Sequence, residues 1–576
     1  MLNKKIDKKE IMILMLAGCL LGILCFAWVY GLKIVNPLYD GWMFHGDMDL
    51  KQHYVGFCHF RTTPWHFPIG LIDTLSVPYS MSVVYTDSIP LFALVFKIFR
   101  NILPVHFQYF GIFGLLSFMM MGMLSPILIR RFCESKIVCI LGSLIFILSF
   151  PVLQRMYYHT ALSAQWIIIL ALIVWFYIDI SDKTNIKKLS ILWTIIGVLS
   201  VLIHSYFVFM TGIVIAAQIT DAIVRSYYAR KNGSSEKVSV LKTIGEIKYI
   251  FIPLLCMGVF SFATLYILGG FYGKGSVSGF GFGCFNANLS SYINPLSFSS
   301  LVKGFDLYGS FEYEGFAYVG TGIFILIVAE LINIIFVEYK KRKNINVDIK
   351  DLEVLPVQTR WIMAIVVILV LLASCFPSYS FGKLHFFSVP VPRIMEKIFG
   401  IFRTNARFVW VGMYLIIISA IWYAGKRIEK SWVKVLLVIV IIIQLFDVHN
   451  IAQEKHEKYS QKQTFESVWS ELEAYNITRG KKEFVFMYDD SDIMMDTAFY
   501  GYLHGLSQNS YYYARTIYDE IDENIAEWTE QFLSGNIDDE VIYVFRDEDY
   551  TDDFNNVVKE LGAKVYQIEG HVIITK

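Results

Sequence analysis

The stretch IMILMLAGCLLGILCFAWVYGL, residues 11–32, runs for 22 positions without a charged side chain. A helix that crosses the hydrocarbon core of a bilayer needs about 20 apolar residues, so this stretch predicts a transmembrane helix. Further apolar runs follow at 107–129, 137–153, 161–178, 189–203, 206–222, 249–270, 317–337, 358–376, 408–424 and 432–448. The sequence therefore predicts an α-helical polytopic membrane protein with about 11 transmembrane helices.

The composition agrees with this prediction. Of the 576 residues, 55% are hydrophobic and 17% are charged, and the mean hydropathy is +0.50. Soluble domains are about 45–50% apolar and about 25% charged, so an ordinary soluble enzyme and a disordered chain are excluded. The net charge is zero, but the charges are unevenly distributed. Residues 450–576 form an acidic tail with 26 acidic and 11 basic side chains. This distribution argues against a nucleic-acid partner, which requires a basic soluble face.

Basic residues between the predicted spans indicate the orientation. Basic loops remain on the cytoplasmic side of a membrane, and alternate loops here carry Lys4-Lys5, Arg130-Arg131, Lys187-Lys188, Arg230-Lys231 and Lys340-Lys341-Arg342-Lys343. The sequence therefore predicts a multi-pass plasma-membrane protein with a cytoplasmic N-terminus. This orientation requires residues 89–103, which include Lys97 and Arg100, to form an amphipathic helix on the outer membrane surface rather than a span.

The same map divides the chain into two predicted domains. Residues 1–449 form the transmembrane domain, whose first outer loop, 33–106, contains surface helices. Residues 450–576 form a small extracytoplasmic α/β domain, since strand patterns occur at 483–488, 541–545, 564–568 and 572–575 and helical patterns near 519–534 and 551–561.

The first outer loop contains a pair of carboxylates in FHGDMDLKQHYVGFCHFRTTPWHFPIG, residues 44–70. Asp47 and Asp49 are two positions apart, and His53, which follows one helical turn after Asp49, is a candidate for substrate binding. Two such acids can share a divalent metal such as Mg²⁺ or Mn²⁺, or divide the roles of base and orienting group. The alternative is that Asp47 only caps a helix that starts near Asp49.

Four sequence blocks carry a resemblance to a known superfamily: GDMDLKQHYVGFCHFRTTPWHFPIG, YTDSIPLFALVFKIF, YEGFAYVGTGIF and FRTNARFVWVGMYLIII. Together with the predicted spans and soluble outer domain, they resemble the GT-C superfamily of membrane glycosyltransferases. Those enzymes take sugars from polyprenyl phosphate-linked donors. More narrowly, the blocks look like an uncharacterised bacterial membrane-protein family near that superfamily. The resemblance covers most of residues 1–450.

The resemblance implies roles for the two acids. Asp47 falls at the position of the superfamily's catalytic acid, which deprotonates the acceptor while the lipid phosphate leaves. Asp49 is the alternative base or a metal ligand. The sequence departs from the well-known members in the loop 153–160, where some of them have a second acid and this chain has none. That departure weakens the case for a two-carboxylate metal site.

Other polar residues of the predicted outer loops are candidates for substrate binding. His159 is a candidate base or acceptor-binding group, or a packed interfacial histidine. Asp87 lies where a surface helix begins, and a helix-capping role for Thr86, Asp87 or Ser88 is favoured over substrate contact. Glu312 and Glu314 either contact a sugar hydroxyl or a metal, or are solvated loop charges.

His204 and two arginines are further polar residues of the predicted outer segments. His204, at a turn between two short helices, is expected to pack rather than to bind. Arg403 and Arg407 are four residues apart, so on a helix they would share one face. A guanidinium fits the geometry of a phosphate, which favours binding of the donor phosphate over contact with lipid headgroups.

The leading hypothesis is therefore an enzyme that transfers a sugar from a polyprenyl phosphate-linked donor on the outer face of the membrane. The acceptor would be a cell-envelope glycan, a lipid or a protein. A flippase or transporter of lipid-linked glycans is the alternative, although the predicted spans have few central charges. A non-catalytic envelope scaffold is a further alternative. The tail motif Tyr511-Tyr512-Tyr513 suits either carbohydrate binding or a core strand.

Overall fold

The fold is described by a computed structural model of the chain. It describes residues 7–46, 48–233, 239–272, 282–343, 355–394, 403–425, 431–489, 492–515 and 517–576. Helices dominate these residues up to position 460, and a mixed α/β arrangement follows. The helices are α1 (Lys8–Tyr30), α2 (Met48–Thr62), α3 (Pro90–Ile98), α4 (Phe110–Arg130), α5 (Lys136–Ile147), α6 (Phe150–Arg155), α7 (Trp166–Tyr177), α8 (Ile186–Ile203), α9 (Tyr206–Gly233), α10 (Val240–Glu246), α11 (Ile252–Ile267), α12 (Thr321–Arg342), α13 (Val357–Cys375), α14 (Val409–Gly425), α15 (Ser431–Asp447), α16 (His449–Ser460), α17 (Asp492–His504), α18 (Tyr518–Leu533) and α19 (Asp552–Leu561).

Eight helical segments are long and apolar enough to cross a membrane, and a bent pair, α15 with α16, brings the count to nine if it is one span. This indicates a multi-pass membrane protein. A helix lies at each of the eleven predicted spans, but that count is not confirmed. The apolar part of α5 has 12 residues, which at 1.5 Å per residue gives about 18 Å against a hydrocarbon core of about 30 Å. The apolar part of α12, Thr321–Phe336, is also short.

Glycines allow α1 and α4 to cross at backbone contact. A Cβ atom added to Gly18 would lie 1.8 Å from the carbonyl oxygen of Gly122, and one added to Gly22 would lie 2.4 Å from that of Phe118. Apolar side chains gain little by leaving lipid for another helix, so close packing of small residues is what holds such helices together. The crossing therefore fixes the position of α1 in the bundle.

One end of the bundle is covered by the segment 33–109. This segment contains α2, α3 and an antiparallel hairpin of β1 (Leu71–Ser76) and β2 (Tyr79–Ser82). The C-terminal domain packs on the same segment, since His59 shares a hydrogen bond of 2.7 Å with the carbonyl oxygen of Ala498 and Phe44 stacks on Phe465 at 3.7 Å. We call this end of the bundle the domain end.

The C-terminal domain contains a five-stranded mixed sheet in the order β6-β5-β7-β9-β8. Its strands are β5 (Glu483–Phe486), β6 (Ser507–Gln508), β7 (Val541–Arg546), β8 (Lys564–Ile568) and β9 (His571–Thr575). A second hairpin, β3 (Ser378–Phe381) with β4 (Leu384–Ser388), belongs to the transmembrane domain. Neighbouring residues of β7 face opposite layers, because Ile542 joins the cluster around Trp469 whereas Tyr543 packs with Phe532. Both faces of the sheet are therefore covered, as in α/β domains.

The opposite end of the bundle carries basic groups. The guanidinium of Arg130 contacts Glu10 at 2.6 Å, and Arg225 bridges Asp179 at 3.1 Å and Asp221 at 3.2 Å. The Thr359 hydroxyl donates to Asp221 at 2.7 Å. These contacts join α1 to α4 and link α9 to α13 and to the end of α7, so the charges at this end serve the packing of the bundle.

Candidate functional site

Titratable side chains from separate segments meet at the domain end. The first turn of α2 contributes one carboxylate, and the turn before α3 contributes another. A histidine further along α2, the end of α6 with the loop after it, the turn between α8 and α9 and the approaches to α12 and α14 contribute the remaining groups. In chain order the residues of this cluster are Asp49, His53, Asp87, Arg155, His159, His204, Glu314 and Arg407.

Asp49 pairs with His159. Its Oδ2 atom lies 3.4 Å from Nε2 of the imidazole, and its position in the first turn of α2 places it at the positive end of that helix. Burial, assisted by the positive charges of Arg407 and Arg155, lowers the pKa of His159 well below its ordinary value. A neutral imidazole therefore faces the Asp49 carboxylate at neutral pH.

Asp87 pairs with His204, whose Nε2 lies 3.4 Å from Oδ1 of the carboxylate. Burial alone would raise the pKa of Asp87, but attraction to His204, to His53 and to His159 brings it below its ordinary value. The predicted cap at this position is wrong, since the residue that precedes α3 is Ile89 and no side chain caps the helix. His204 is buried and packs against the ring of Tyr206, as expected, and it also contacts Asp87.

Hydrogen bonds hold the turn that presents Asp87. Asp87 and Ile89 both have left-handed backbones, with φ of 50° and 53°. That conformation is strained for a β-branched residue such as Ile89. The Ser88 hydroxyl lies 2.7 Å from the hydroxyl of Thr86 and donates to the carbonyl oxygen of His53 at 2.7 Å. The surrounding structure thus keeps the carboxylate in place in a turn that costs energy.

His53 is completely buried beside this pair. Neither ring nitrogen has a hydrogen-bond partner among the described residues, and the ring stacks on Phe110 with centroids 6.3 Å apart. Burial lowers the pKa of His53 to about 4, although Asp87 acts in the opposite direction. The unpartnered imidazole next to a carboxylate leaves hydrogen-bonding capacity for a ligand.

Glu314 joins two guanidinium groups. Arg155 contacts it with two nitrogens, at 3.2 and 2.9 Å, and Nε of Arg407 lies 2.7 Å from Oε2. Burial raises the pKa of Glu314, and the attraction of Arg155 and Arg407 more than reverses that effect. The alternative of a solvated loop charge is wrong, since the residue is 2% exposed.

Glu312 lies apart from the cluster. Its carboxylate accepts hydrogen bonds from Asn288 at 2.7 Å, from the backbone N–H of Tyr308 at 3.1 Å and from the Ser380 hydroxyl. It too is 2% exposed, so the alternative of a solvated loop charge is wrong here as well. Because its oxygens are occupied by the protein, Glu312 anchors the β3-β4 hairpin.

Arg403 and Arg407 differ in setting. They do not share a helix face, because regular structure begins with a 3₁₀ turn at Ala406 and α14 begins at Val409. Arg407 is occupied by Glu314. Arg403 lies over the Phe285 ring at 5.2 Å. Of the two arginines, Arg403 is the one that the described carboxylates leave available for a phosphate.

Asp47 lies outside the described residues. The predicted roles of Asp47 as a base and of the pair Asp47 and Asp49 as ligands of Mg²⁺ or Mn²⁺ therefore stay predictions. Within the described part of the chain, no group of three or more histidine, cysteine, aspartate or glutamate side chains is arranged to hold a metal ion.

Comparison with known proteins gives a family. Residues 19–449 match DUF6311, a domain of unknown function, and residues 469–576 match the DUF6311 C-terminal domain. The chain belongs to the DUF6311 family. No curated protein matches it. All nine predicted site residues lie within the stretch matched by DUF6311, and Tyr512 lies within the DUF6311 C-terminal domain.

Solved structures show a distant likeness to this DUF6311 protein. One is an archaeal oligosaccharyltransferase, AglB from Archaeoglobus fulgidus, in complex with an inhibitory peptide and a dolichol-phosphate. The match has 10% identity and a TM-score of 0.45, and covers 97% of this chain and 74% of that one. The apo form of the Archaeoglobus fulgidus oligosaccharyltransferase matches with 10% identity and a TM-score of 0.42, over 94% and 71% of the two chains. These scores are too low to decide fold or activity.

Sequence reasoning missed one member of this DUF6311 site. Arg155 lies in the stretch 153–160, where the chain has no acid, and only its contact with Glu314, 159 positions away, reveals its role. That role depends on a contact between distant parts of the chain, which a single sequence does not record.

Proposed function

We propose that this protein is a membrane glycosyltransferase that moves a sugar from a polyprenyl phosphate-linked donor to a cell-envelope acceptor at the domain end. One observation carries the proposal. Two carboxylates paired with imidazoles, Asp49 with His159 and Asp87 with His204, are partly buried where the apolar bundle meets the C-terminal domain. Thr404, the neighbour of Arg403 in the chain, donates its N–H to the hydroxyl of Tyr206, whose ring lies 5.1 Å from that of His204. A reaction between a lipid-linked donor and a polar acceptor needs acid–base groups and a cation at such a boundary.

The proposed reaction is a displacement at the anomeric carbon of the sugar. A carboxylate, Asp49 or Asp47, accepts the proton of the acceptor hydroxyl, and the oxygen forms a bond to that carbon. The bond between the carbon and the phosphate oxygen breaks, and its electron pair remains on the phosphate. The Arg403 guanidinium offsets the negative charge that the leaving phosphate acquires.

The other residues of the cluster would orient the carboxylate and the substrate. The imidazole of His159, 3.4 Å from the Asp49 carboxylate, would orient that carboxylate toward the acceptor. His53 and Asp87 line the same cluster, and the free ring nitrogens of His53 are suited to sugar hydroxyls. Arg155 and Arg407 hold Glu314 and so keep the loop after α6 against the start of α14.

The proposal includes a location. The domain end would face outward from the plasma membrane of a bacterium, and the N-terminus would be cytoplasmic. The basic groups at the opposite end, including Arg130 and Arg230, support that orientation through the preference of basic loops for the cytoplasm. The donor would then be used on the outer face, where its polyprenyl chain remains in the bilayer.

The test compares wild type with Asp49→Asn and Asp47→Asn in membranes that contain matched amounts of each protein. Radiolabelled polyprenyl phosphate-sugars are the donors, and an envelope extract is the acceptor. Asp306→Asn is the control, because Asp306 is an exposed carboxylate paired with Lys383. We expect transfer by wild type and control, and a loss of at least about 100-fold in one of the two site variants, as for removal of a general base.

Two outcomes of this assay would contradict the proposed function or the assigned acids. If a broad panel of donors gives no transfer with wild type, the enzyme hypothesis is wrong, and translocation of labelled lipid-linked glycan becomes the next measurement. If Asp49→Asn and Asp47→Asn both retain wild-type transfer, the base lies elsewhere and the assignment of these acids is rejected.

A further inference from the structure

The first residue of α9, Tyr206, contacts the pair formed by Asp87 and His204. The backbone N–H of Tyr206 donates to Nδ1 of His204 at 3.2 Å, and the two rings lie 5.1 Å apart. A ring nitrogen that accepts a hydrogen bond carries no proton, so the proton of this imidazole is on Nε2. Nε2 is the nitrogen that lies 3.4 Å from the Asp87 carboxylate. Tyr206 therefore holds His204 with an N–H group toward Asp87.

The hydroxyl of Tyr206 holds the segment that contains Arg403. The backbone N–H of Thr404 donates to this hydroxyl at 2.9 Å, and the side chain of Thr404 donates to the carbonyl oxygen of Phe285 at 2.8 Å. The Arg403 guanidinium lies over the ring of the same Phe285 at 5.2 Å. The backbone next to Arg403 is thus fixed at two points, and the Tyr206 hydroxyl is one of them. Thr404 is 3% exposed, so bulk water is a poor substitute for that hydroxyl.

The ring of Tyr206 contacts the other arginine of this region. The guanidinium carbon of Arg407 lies 5.1 Å from the centre of the Tyr206 ring, and its Nε lies 2.7 Å from Glu314. Arg407 is therefore held between a carboxylate and an aromatic ring. Of the two arginines, Arg403 is the one that the described carboxylates do not occupy. The backbone, ring and hydroxyl of Tyr206 thus contact groups from three different segments.

We propose that Tyr206 is a positioning residue, which fixes the backbone of Arg403 through its hydroxyl so that the guanidinium meets the phosphate of a polyprenyl phosphate. The inference rests on the proposed function and extends it, because it links the pair of Asp87 and His204 to the cation of the donor site. Without the hydroxyl, the buried N–H of Thr404 loses its acceptor, and the segment must shift to find another. The long arginine side chain would then lose more conformational freedom when it binds phosphate oxygens.

The test measures binding of undecaprenyl phosphate and of undecaprenol to the full-length protein in detergent, by microscale thermophoresis. The variants are Tyr206→Phe, which removes only the hydroxyl and keeps the ring, Arg403→Gln, and the two together. Tyr228→Phe is the matched control, since Tyr228 belongs to the same helix and is 44% exposed. Both lipids have the same isoprenoid chain, so the ratio of their affinities reports on the phosphate. Thermal unfolding of each variant shows whether the fold is intact.

We expect wild type and control to prefer the phosphate over the alcohol, and Tyr206→Phe to lose about 3- to 10-fold of that preference, as for loss of one hydrogen bond. The double variant should show no greater loss than Arg403→Gln alone, because Tyr206 acts through Arg403. A greater loss in the double variant would contradict that role.

Two further outcomes separate this inference from the proposed function. If wild type prefers the phosphate and Tyr206→Phe keeps the full preference, or weakens binding of both lipids equally, the positioning role of Tyr206 is rejected while the proposed function stands. If wild type has no preference for the phosphate, the donor site and the role of Tyr206 are both rejected.

Discussion

At the scale of single residues, burial decides which charges are held by the protein and which remain for a ligand. Arg155 and Arg407 contact one carboxylate, Glu314, and Arg155 and Glu314 are almost inaccessible to solvent. Removing one member of a buried ion pair leaves the partner charge without compensation, which costs far more than loss of an exposed pair. Glu314 therefore matters to stability first and to chemistry second.

Glu314→Gln keeps the size of the side chain and removes its charge. We expect a loss of about 3–5 kcal/mol of stability, because two guanidinium groups would remain buried beside a neutral amide. The measurement is thermal unfolding of the purified protein in detergent. Asp306→Asn, which breaks an exposed pair with Lys383, is the control and should cost about 0–1 kcal/mol. Equal small losses in both variants would contradict this prediction.

The C-terminal domain should lose stability as the pH rises through the range where a buried acid ionises. Burial raises the pKa of Asp496 from 3.8 to about 6, even though the backbone N–H of Val468 donates to it. The folded form binds the proton more tightly, so this contribution to stability is complete below pH 3.8 and is lost as the pH rises to about 6.

Asp496→Asn removes that proton linkage. We expect its unfolding temperature to fall less than that of wild type between about pH 4 and about pH 7, as followed by calorimetry on the full-length protein. Glu548→Gln changes a carboxylate that is 74% exposed and should follow wild type. A wild-type profile retained by Asp496→Asn would show that this carboxyl is not the source of the pH dependence.

At the scale of elements, the close approach of α1 to α4 and the strained turn before α3 determine where the residues of the site lie. The turn before α3 presents Asp87 through left-handed residues that hydrogen bonds hold in place. Within the membrane, the contact of Gly18 with Gly122 sets α1 against α4. The segment 33–109 joins these two helices, so their separation controls the position of α2 and of Asp49.

Gly18→Ala should separate α1 from α4. The new Cβ atom would lie 1.8 Å from a backbone oxygen of Gly122, which no rotation of a side chain can relieve. We expect a lower unfolding temperature and a smaller monodisperse fraction on size-exclusion chromatography. Gly212→Ala is the control, because an added Cβ meets nothing within 4 Å there and alanine favours helix by about 1 kcal/mol over glycine. Equal behaviour of the two variants would show that the α1–α4 contact can yield.

The sequence predicts the helices and strands better than it predicts which residues of different elements contact one another. Apolar runs locate a helix at every predicted span, and strand-forming residues locate four of the five strands of the C-terminal sheet, since both signals are local; the two-residue strand β6 was not predicted. Span length fails at α5 because the apolar run 137–153 is broken between Ile147 and Phe150 into two short helices. Of the predicted site residues, the structure leaves Glu312 apart and brings together Asp49, His53, Asp87, His159, Glu314 and Arg407. Which of these residues contact one another depends on packing between distant parts of the chain. The periodicity of the sequence carries no information about that packing.

At the scale of the whole molecule, the candidate site and the basic groups lie at opposite ends of the bundle. The C-terminal domain, α2 and Arg403 share the domain end, and Arg130 and Arg225 share the other. In the proposed orientation, reagents added outside the cell reach the domain end and do not reach the basic end.

Cys284 offers a native probe of that orientation, because it is the exposed cysteine among those of the described residues. In intact cells a membrane-impermeant maleimide should label wild type, and Cys284→Ser should abolish that labelling. With Cys284→Ser as background, Lys187→Cys should be labelled only after the membrane is permeabilised, since it begins α8 at the opposite end. Labelling of Lys187→Cys in intact cells, without labelling of Cys284, would reverse the orientation.

The bond between Gln52 and Tyr512 joins residues 460 positions apart. During synthesis, α2 leaves the ribosome long before the segment that carries Tyr512. An intermediate of biogenesis that has inserted its helices but lacks this segment would leave the Gln52 side chain without this acceptor. The contacts between α2 and the C-terminal domain can therefore form only after the helices that separate them in the chain have been made.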